Sequence, residues 1–225
     1  MLRKEVPQIN GTLRKFSLRV PDVIKECSGI RIFGKRIKSL VFTTDLCIIR
    51  NTNADAIMAV YPFTPQSIIT DAILLAADTP VFAGIGGGLT KGERVVNLGM
   101  YSEMQGATGV VVNAPMTNDI IRKLADILDI PIIVTVVNDE TDIRSRIEAG
   151  ASILNVSAAS NTADVVRKIR SEYTSIPIIA TGGPTDESIL KTIEAGANAI
   201  TWTPPATKNI FKDIMSGYRE GREHP

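Results

Sequence analysis

Three carboxylates are the side chains best suited to chemistry in this chain. Asp45 ends one apolar run, in VFTTD, and Asp139 and Glu140 end another, in VVNDE. A carboxylate at such a place can act as a general base or help to hold a metal ion such as Mg2+. Helix capping is the alternative for Asp45 and Asp139, because aspartate is a favoured N-cap residue. We expect these three residues to be catalytic. We expect no cofactor to be required, with binding of Mg2+ as an alternative that the carboxylates allow.

Histidine and cysteine usage narrows the chemistry further. The single histidine is His224, so a His–Ser or His–Cys pair and a histidine-rich zinc site are nearly excluded. Cys27 and Cys47 show no metal-ligand spacing. Two cysteines in a chain of 225 residues predict buried thiols in a reducing compartment rather than a disulfide framework.

Glycine clusters follow two further apolar runs. Gly86, Gly87 and Gly88 follow one run, and Gly182 and Gly183 follow another. Such clusters mark positive φ or a backbone that approaches another group closely, and free N–H groups at a helix start can bind an anion. Tight turning alone is the alternative explanation. We expect both clusters to bind substrate.

The apolar runs must position these residues, and their spacing predicts a fold. A Gly-Ala step precedes some runs and a proline opens others, and the two signatures alternate along the chain. Helical patterns with an N-cap residue and a first-turn acid lie between the runs. We count eight strands, at about residues 38–43, 56–61, 80–85, 109–113, 131–137, 152–157, 177–181 and 198–203. This alternation predicts a single (β/α)8 TIM barrel of the α/β class, with an open doubly wound sheet as the alternative.

The chain divides into a short extension and the barrel. Residues 1–36 are expected to form a helical extension that covers the barrel bottom, and residues 37–225 the barrel itself. The formal net charge of +1 gives no electrostatic case for nucleic acid or an acidic membrane as partner. Because no stretch approaches about 18 apolar residues, we expect a cytoplasmic protein. The sequence is compatible with assembly into a homo-oligomer.

Small polar residues ring the predicted mouth of the barrel, which is the working face of this fold. Aligning the repeats places Asn113, Ser157 and Thr203 at the ends of even-numbered strands, and Thr135 at the end of an odd-numbered one. Asn155 lies inside the sixth strand. Such a ring suits a polar small molecule, although each group could also only satisfy backbone groups where its strand ends. We expect Asn113, Asn155, Ser157 and Thr203 to bind substrate.

Two segments resemble known families of barrel enzymes. IPIIATGGPTDESILKTIEAGANAI, from Ile176 to Ile200, resembles part of the phosphate-binding aldolase-type barrels, such as keto-deoxy-phosphogluconate aldolases and N-acetylmannosamine-6-phosphate epimerases. PVFAGIGGGLTKGERVVNLGMYSEMQGATGVVVNAP is similar to the region of the third and fourth strands in dihydrodipicolinate synthase-like lyases. The resemblance implies a phosphate-binding site, and because the usual donors after the eighth strand are missing, a phosphate would rely on Gly182, Gly183, Thr207 or Lys208 instead.

The chain also departs from these families. Pro204 and Pro205 follow the eighth strand and remove two N–H donors that the families offer to phosphate. The sixth strand, SILNVSAAS, lacks the lysine with which one class of aldolase forms a Schiff base.

Three functions follow as hypotheses. The first is an enzyme, a lyase, isomerase or hydrolase, that acts on a small polar metabolite with or without a phosphate group. The second is a non-catalytic metabolite-binding or regulatory barrel, and the third is a metal-assisted hydrolase that uses carboxylates at the rim. The number of chemistries that this fold hosts favours the enzyme, which is an argument from analogy.

Overall fold

The computed structural model describes residues 7, 9, 11 and 18–222, and His224 lies outside them. The strands of this described part are β1 (Ile30–Ile32), β2 (Lys35–Ile37), β3 (Ser39–Phe42), β4 (Ala56–Ala59), β5 (Val81–Gly86), β6 (Gly109–Val112), β7 (Ile132–Val136), β8 (Ile153–Val156), β9 (Ile178–Thr181) and β10 (Ala199–Trp202). Its α-helices are α1 (Leu46–Arg50), α2 (Ser67–Ala76), α3 (Glu93–Met104), α4 (Asn118–Ile127), α5 (Ile143–Glu148), α6 (Thr162–Glu172), α7 (Asp186–Glu194) and α8 (Thr207–Arg219). Two short 3-10 helices, Asp22–Glu26 and Ala159–Asn161, complete the elements.

The strands β3 to β10 form a closed parallel barrel. Each pairs with the next along the chain, and β10 pairs with β3 to close the ring. Every barrel strand overlaps one of the eight apolar runs, so the prediction of a TIM barrel is confirmed and the open sheet is excluded. No helix in residues 18–222 is long and apolar enough to cross a membrane.

Alternation along each strand divides the buried side chains into two cores. Successive side chains of a strand point to opposite faces. Residues such as Ile57 and Val134 pack outward against the helices, whereas Phe82, Ile133 and Ile179 fill the barrel interior. Because parallel strands covered by helices are buried on both faces, their sequences are apolar without alternation.

An antiparallel hairpin closes the bottom of the barrel, the end where the strands begin. The hairpin consists of β1 and β2, joined at Phe33 and Gly34, which both have positive φ. Its residues Ile30, Ile32 and Ile37 belong to the same buried cluster as the barrel interior.

The hairpin was not predicted from the sequence. Phe-Gly is a weaker hairpin signal than Asn-Gly or Asp-Gly, because phenylalanine rarely adopts positive φ. The described helical element of the extension is the 3-10 helix Asp22–Glu26, which packs against α7. The division of the chain at residue 36 stays a prediction.

Candidate functional site

Inward-facing side chains at the carboxyl ends of the barrel strands enclose a cavity of about 490 Å3, which we call the mouth cavity. Its lining comes from β3 to β8 and from the loops after β4 and β5. The residues that line it are Phe42, Met58, Val60, Tyr61, Pro62, Phe63, Thr64, Pro65, Gly84, Gly86, Gly88, Leu89, Thr90, Val111, Asn113, Thr135, Asn155 and Ser157. The cavity therefore lies at the face on which this fold carries its binding sites.

Two buried polar side chains, Asn155 and Thr135, form the floor of the mouth cavity. They are register partners on the neighbouring strands β8 and β7, and their exposed fractions are 8% and 9%. The Asn155 amide donates from Nδ2 to Thr135 Oγ1 over 3.3 Å. Asn155 Oδ1 is buried and has no hydrogen-bond partner among the described residues. Because an unpaired buried acceptor costs about 1–3 kcal/mol, this oxygen calls for a hydrogen-bond partner, such as a water molecule or a ligand, that the described residues do not supply.

The upper walls of the mouth cavity are apolar and partly exposed. Phe42, Phe63 and Leu89 are 38%, 74% and 97% exposed. Phe63 lies in the loop between β4 and α2, where the Tyr61 hydroxyl accepts a hydrogen bond from the Gln66 backbone N–H over 2.9 Å. This bond ties the two ends of the loop together. The apolar walls were not predicted, although the sequence YPFTPQ, with two prolines and two aromatic residues, carries the signal.

No Asp, Glu, Lys, Arg or His side chain is among the described residues that line the mouth cavity. Tyr61 is the one titratable residue in the lining. None of the lining residues belongs to the first turn of an α-helix, so the described lining includes no backbone N–H groups from a helix N-terminus. The floor thus offers hydrogen bonds but no charge.

Asp45 lies outside the lining of the mouth cavity, on the part of the rim where β3 and β10 meet. Its Oδ1 accepts hydrogen bonds from the backbone N–H groups of Cys47 and Ile48, over 2.8 and 3.4 Å, and so caps α1. Its Oδ2 accepts a hydrogen bond from the hydroxyl of Thr207 at the start of α8. The hydrogen bond from Thr207 has the largest effect on the pKa of Asp45 and lowers it below its ordinary value, and the two backbone hydrogen bonds lower it further. The carboxylate is therefore ionised at neutral pH and ties the loops after β3 and β10 together.

The other two candidate carboxylates lie away from the cavity lining. Asp139 forms an ion pair with Lys168 over 3.2 Å, and both side chains are more than half exposed. The hydrogen bond from Lys168 lowers the pKa of Asp139. Glu140 is exposed in the same loop. Helix α5 is capped by Asp142 rather than by Asp139.

The described carboxylates do not form a metal-binding cluster, and the expectation that Mg2+ can bind stays a prediction. In residues 18–222, no three Asp, Glu, His or Cys side chains form a group that could hold a metal ion. Asp45 follows β3 and Asp139 follows β7, four strands away around a closed ring of eight. Carboxylate oxygens that hold Mg2+ must converge on one point.

The first glycine cluster is explained in part by close packing. Gly86 and Gly87 have positive φ, and a Cβ atom on Gly87 would lie 2.7 Å from the backbone nitrogen of Asn113. The Gly87 N–H already donates to Thr90 O over 3.1 Å. Gly86, Gly88 and Asn113 line the mouth cavity, and the Asn113 side chain accepts a bond from the Ala114 N–H. The cluster therefore shapes one wall.

The second glycine cluster lies outside the lining of the mouth cavity. A Cβ atom on Gly182 would approach Ile189 Cγ1 to 2.7 Å, so packing against α7 explains this glycine. Gly183, at φ +86, makes the turn toward α7. Thr203 and Lys208 are exposed on the same part of the rim. Phosphate binding by these residues stays a prediction.

One expectation about the cysteines is wrong. Cys27 is buried as expected, and burial raises the pKa of its thiol to about 11. Cys47 is exposed. The short helix α1 buries Ile48 and Ile49, so Cys47 in its first turn faces outward.

Comparison with known proteins yields similarity in structure alone. The chain matches no family model, and no curated protein is similar to it. Phosphonopyruvate hydrolase, solved with oxalate and Mg2+, shares 15% identity over 83% of this chain and 84% of its own, with a TM-score of 0.61. Phosphoenolpyruvate phosphomutase from Streptomyces platensis subsp. rosaceus shares 13% sequence identity over 82% of this chain and 83% of its own, with a TM-score of 0.61. The 4-hydroxy-tetrahydrodipicolinate synthase from Methylacidiphilum fumariolicum SolV shares 15% sequence identity over 84% of this chain and 75% of its own, with a TM-score of 0.59.

These neighbours agree in architecture with the barrel described above. At 13–15% identity the likeness shows a common TIM-barrel fold. The resemblance to dihydrodipicolinate synthase-like barrels is thus confirmed for the fold, and no specific family follows. The chain is a TIM barrel whose structural neighbours include a phosphonopyruvate hydrolase, a phosphoenolpyruvate phosphomutase and a 4-hydroxy-tetrahydrodipicolinate synthase.

Proposed function

We propose that this protein is an enzyme that acts on a small metabolite bound in the mouth cavity. The observation that carries the proposal is the buried Asn155 amide, whose oxygen lacks a partner in the described structure and lies on the floor of a 490 Å3 cavity. Cavities of about 300–1,000 Å3 with a few convergent polar groups are typical of small-molecule sites.

The names of the structural neighbours support a reaction on a small polar metabolite, with or without a phosphate group. They include a hydrolase, a phosphomutase and a synthase of the dihydrodipicolinate type. A lyase, isomerase or hydrolase reaction is therefore the proposal for this chain, by analogy of fold. A phosphate group on the substrate, held by Gly182, Gly183, Thr207 or Lys208, remains part of the hypothesis. The ionised Asp45, bonded to Thr207 at the start of α8, opposes an anion there by like-charge repulsion.

Asp45 is the proposed proton-transfer group of the three candidate carboxylates. It lies on the rim between β3 and β10, whereas Asp139 is paired with Lys168 and Glu140 is exposed. A carboxylate that is ionised at neutral pH can accept a proton from a substrate that extends from the cavity over the rim. Asp139 and Glu140 stay as weaker catalytic candidates.

The second candidate function is binding of a metabolite without catalysis. The observation that favours it is the absence of charged side chains from the described lining of the mouth cavity. General acid–base catalysis needs a titratable group within hydrogen-bond reach of the reacting atoms, and Tyr61 is the one such group in the lining.

A metabolite-extract assay separates the two candidates. The purified protein is incubated with a cell extract, with and without Mg2+, and consumed or bound compounds are identified by mass spectrometry. Ser157→Phe fills the cavity from the half-buried end of β8, and Ser171→Phe on the exposed face of α6 is the matched control.

The enzyme proposal predicts a compound that wild type and Ser171→Phe consume and Ser157→Phe does not. Asp45→Asn should then keep binding and lose turnover. A compound that is retained but never consumed supports the non-catalytic barrel instead. If Ser157→Phe binds and converts the same compounds as wild type, the mouth cavity is not the site.

A further inference from the structure

We propose that the floor of the mouth cavity selects an uncharged head group that carries a hydrogen-bond donor beside an acceptor, as a carboxamide does, on an apolar body. This inference rests on the proposed function, because it names the ligand class of the same cavity. Three observations carry it: the free hydrogen-bonding capacity of Asn155 and Thr135, the absence of charge in the described lining, and the apolar walls.

The free hydrogen-bonding groups of the floor define the head of the ligand. Asn155 Nδ2 donates to Thr135 Oγ1, which leaves Asn155 Oδ1 as a free acceptor and the Thr135 hydroxyl proton as a free donor. The two residues are register partners on adjacent parallel strands, so the free acceptor and donor lie side by side. Rotating the amide by a half-turn exchanges the two roles but leaves one donor and one acceptor. A carboxamide offers its N–H and C=O to this pair at once.

The lining excludes a charged head at this depth. Asn155 and Thr135 are 8% and 9% exposed, so a ligand group that reaches them leaves water behind. Burying a carboxylate, phosphate or ammonium group without a counter-charge is far more costly than burying a hydrogen-bonded amide. The described lining supplies neither a charged side chain nor the first turn of a helix.

The walls above the floor define the body of the ligand. The apolar residues of the lining include Phe42, Val60, Val111 and Leu89. Phe42 and Leu89 are 38% and 97% exposed, and covering them with an apolar ligand removes this surface from water. The cavity therefore suits an aromatic or branched aliphatic body that bears one amide-like head.

Methionine-methyl NMR tests the inference with ligands of nearly equal shape. The probes are benzamide, which is neutral, benzoate, which is an anion, benzamidine, which is a cation, and phenyl phosphate. Met58 lines the mouth cavity and reports on binding there. Met104 is 74% exposed on α3, and Met116 is buried outside the lining, so both serve as internal controls.

The expected result is that benzamide shifts the Met58 resonance and leaves those of Met104 and Met116 unchanged. Benzoate, benzamidine and phenyl phosphate should bind about 5- to 150-fold more weakly at Met58, the range that 1–3 kcal/mol of unpaired polar groups represents. Tighter binding of any charged probe at Met58 overturns this inference and leaves the proposed function standing. If no probe shifts Met58 at millimolar concentration, this inference fails, and the metabolite-extract assay with Ser157→Phe decides the proposed function separately.

A pair of variants identifies the residues that read the head group. Asn155→Leu combined with Thr135→Val keeps the shape of the floor and removes both polar groups. This double variant should lose the preference for benzamide and bind toluene instead. Thr192→Val is the matched control, since Thr192 is also buried, at 3% exposure, but lies on α7 and does not line the cavity. An unchanged preference in the double variant would show that other groups select the ligand.

Discussion

Removing the polar floor should stabilise the ligand-free protein. The double variant Asn155→Leu, Thr135→Val eliminates an amide oxygen without a partner in the described residues, which costs about 1–3 kcal/mol. It also gives up one hydrogen bond of 3.3 Å, whose net worth is about 0.5–1.5 kcal/mol. The difference favours the variant by roughly 1 kcal/mol, because two shape-matched apolar residues replace a half-satisfied pair.

Chemical and thermal unfolding measure this gain. A change of 1 kcal/mol shifts the midpoint of a domain of this size by about 2–4 °C. The single variant Asn155→Leu should gain less, since it leaves the Thr135 hydroxyl without its partner. Thr192→Val provides a buried threonine outside the lining for comparison. If the double variant loses more than about 1 kcal/mol of unfolding free energy, the Asn155 amide stabilises the fold, and the argument from its unpaired oxygen is refuted.

Three further predictions concern the rim. Asp45→Ala should lower stability by about 0.5–2 kcal/mol through loss of the N-cap, and Asp45→Asn by much less, in denaturant titrations; equal losses would contradict the capping role. Folding lowers the pKa of Asp45, so its contribution to the free energy of unfolding is present above its ordinary pKa of 3.8 and is lost as the pH falls through the pKa of the folded state. Asp45→Asn should therefore make stability less dependent on pH below about pH 4, as measured by unfolding at a series of pH values. Gly87→Ala, at φ +113 and against the Asn113 backbone, should cost at least about 1–3 kcal/mol in the same titrations, whereas Gly88→Ala, with open space around it, should be close to neutral.

The barrel could be predicted from the sequence because its strands repeat one physical pattern. Each strand is an apolar run because helices cover the barrel, and six of the eight runs also open with proline or follow a Gly-Ala step. The hairpin of β1 and β2 lacks that pattern, because its outward residues, such as Arg31 and Lys35, are charged and its turn is Phe-Gly. Local signals thus sufficed for the repeated units and not for the segment that seals them.

The candidate site was only partly accessible from the sequence. Asn155, Asn113 and Ser157 were predicted from their places near strand ends, and the structure brings all three to the mouth cavity. The carboxylates were chosen by residue type, which does not show that Asp45 caps a helix or that Asp139 pairs with a lysine 29 positions away. The walls depend on how the loop after β4 folds over the mouth, and that geometry is a tertiary property.

The seam at which the barrel closes has a consequence for how the chain is made. Val41 of β3 pairs with Trp202 of β10, so the first and last strands of the ring are neighbours. Because loop-closure entropy opposes pairing between strands far apart in sequence, we expect the closure of this seam to be a slow step of folding. During synthesis on the ribosome, the ring stays open until the last strand has emerged, and the isoleucines of the hairpin and the edges of β3 and β9 remain uncovered. We therefore expect nascent chains that end before residue 199 to aggregate or to recruit chaperones, and chains that include residue 202 to become resistant to proteolysis.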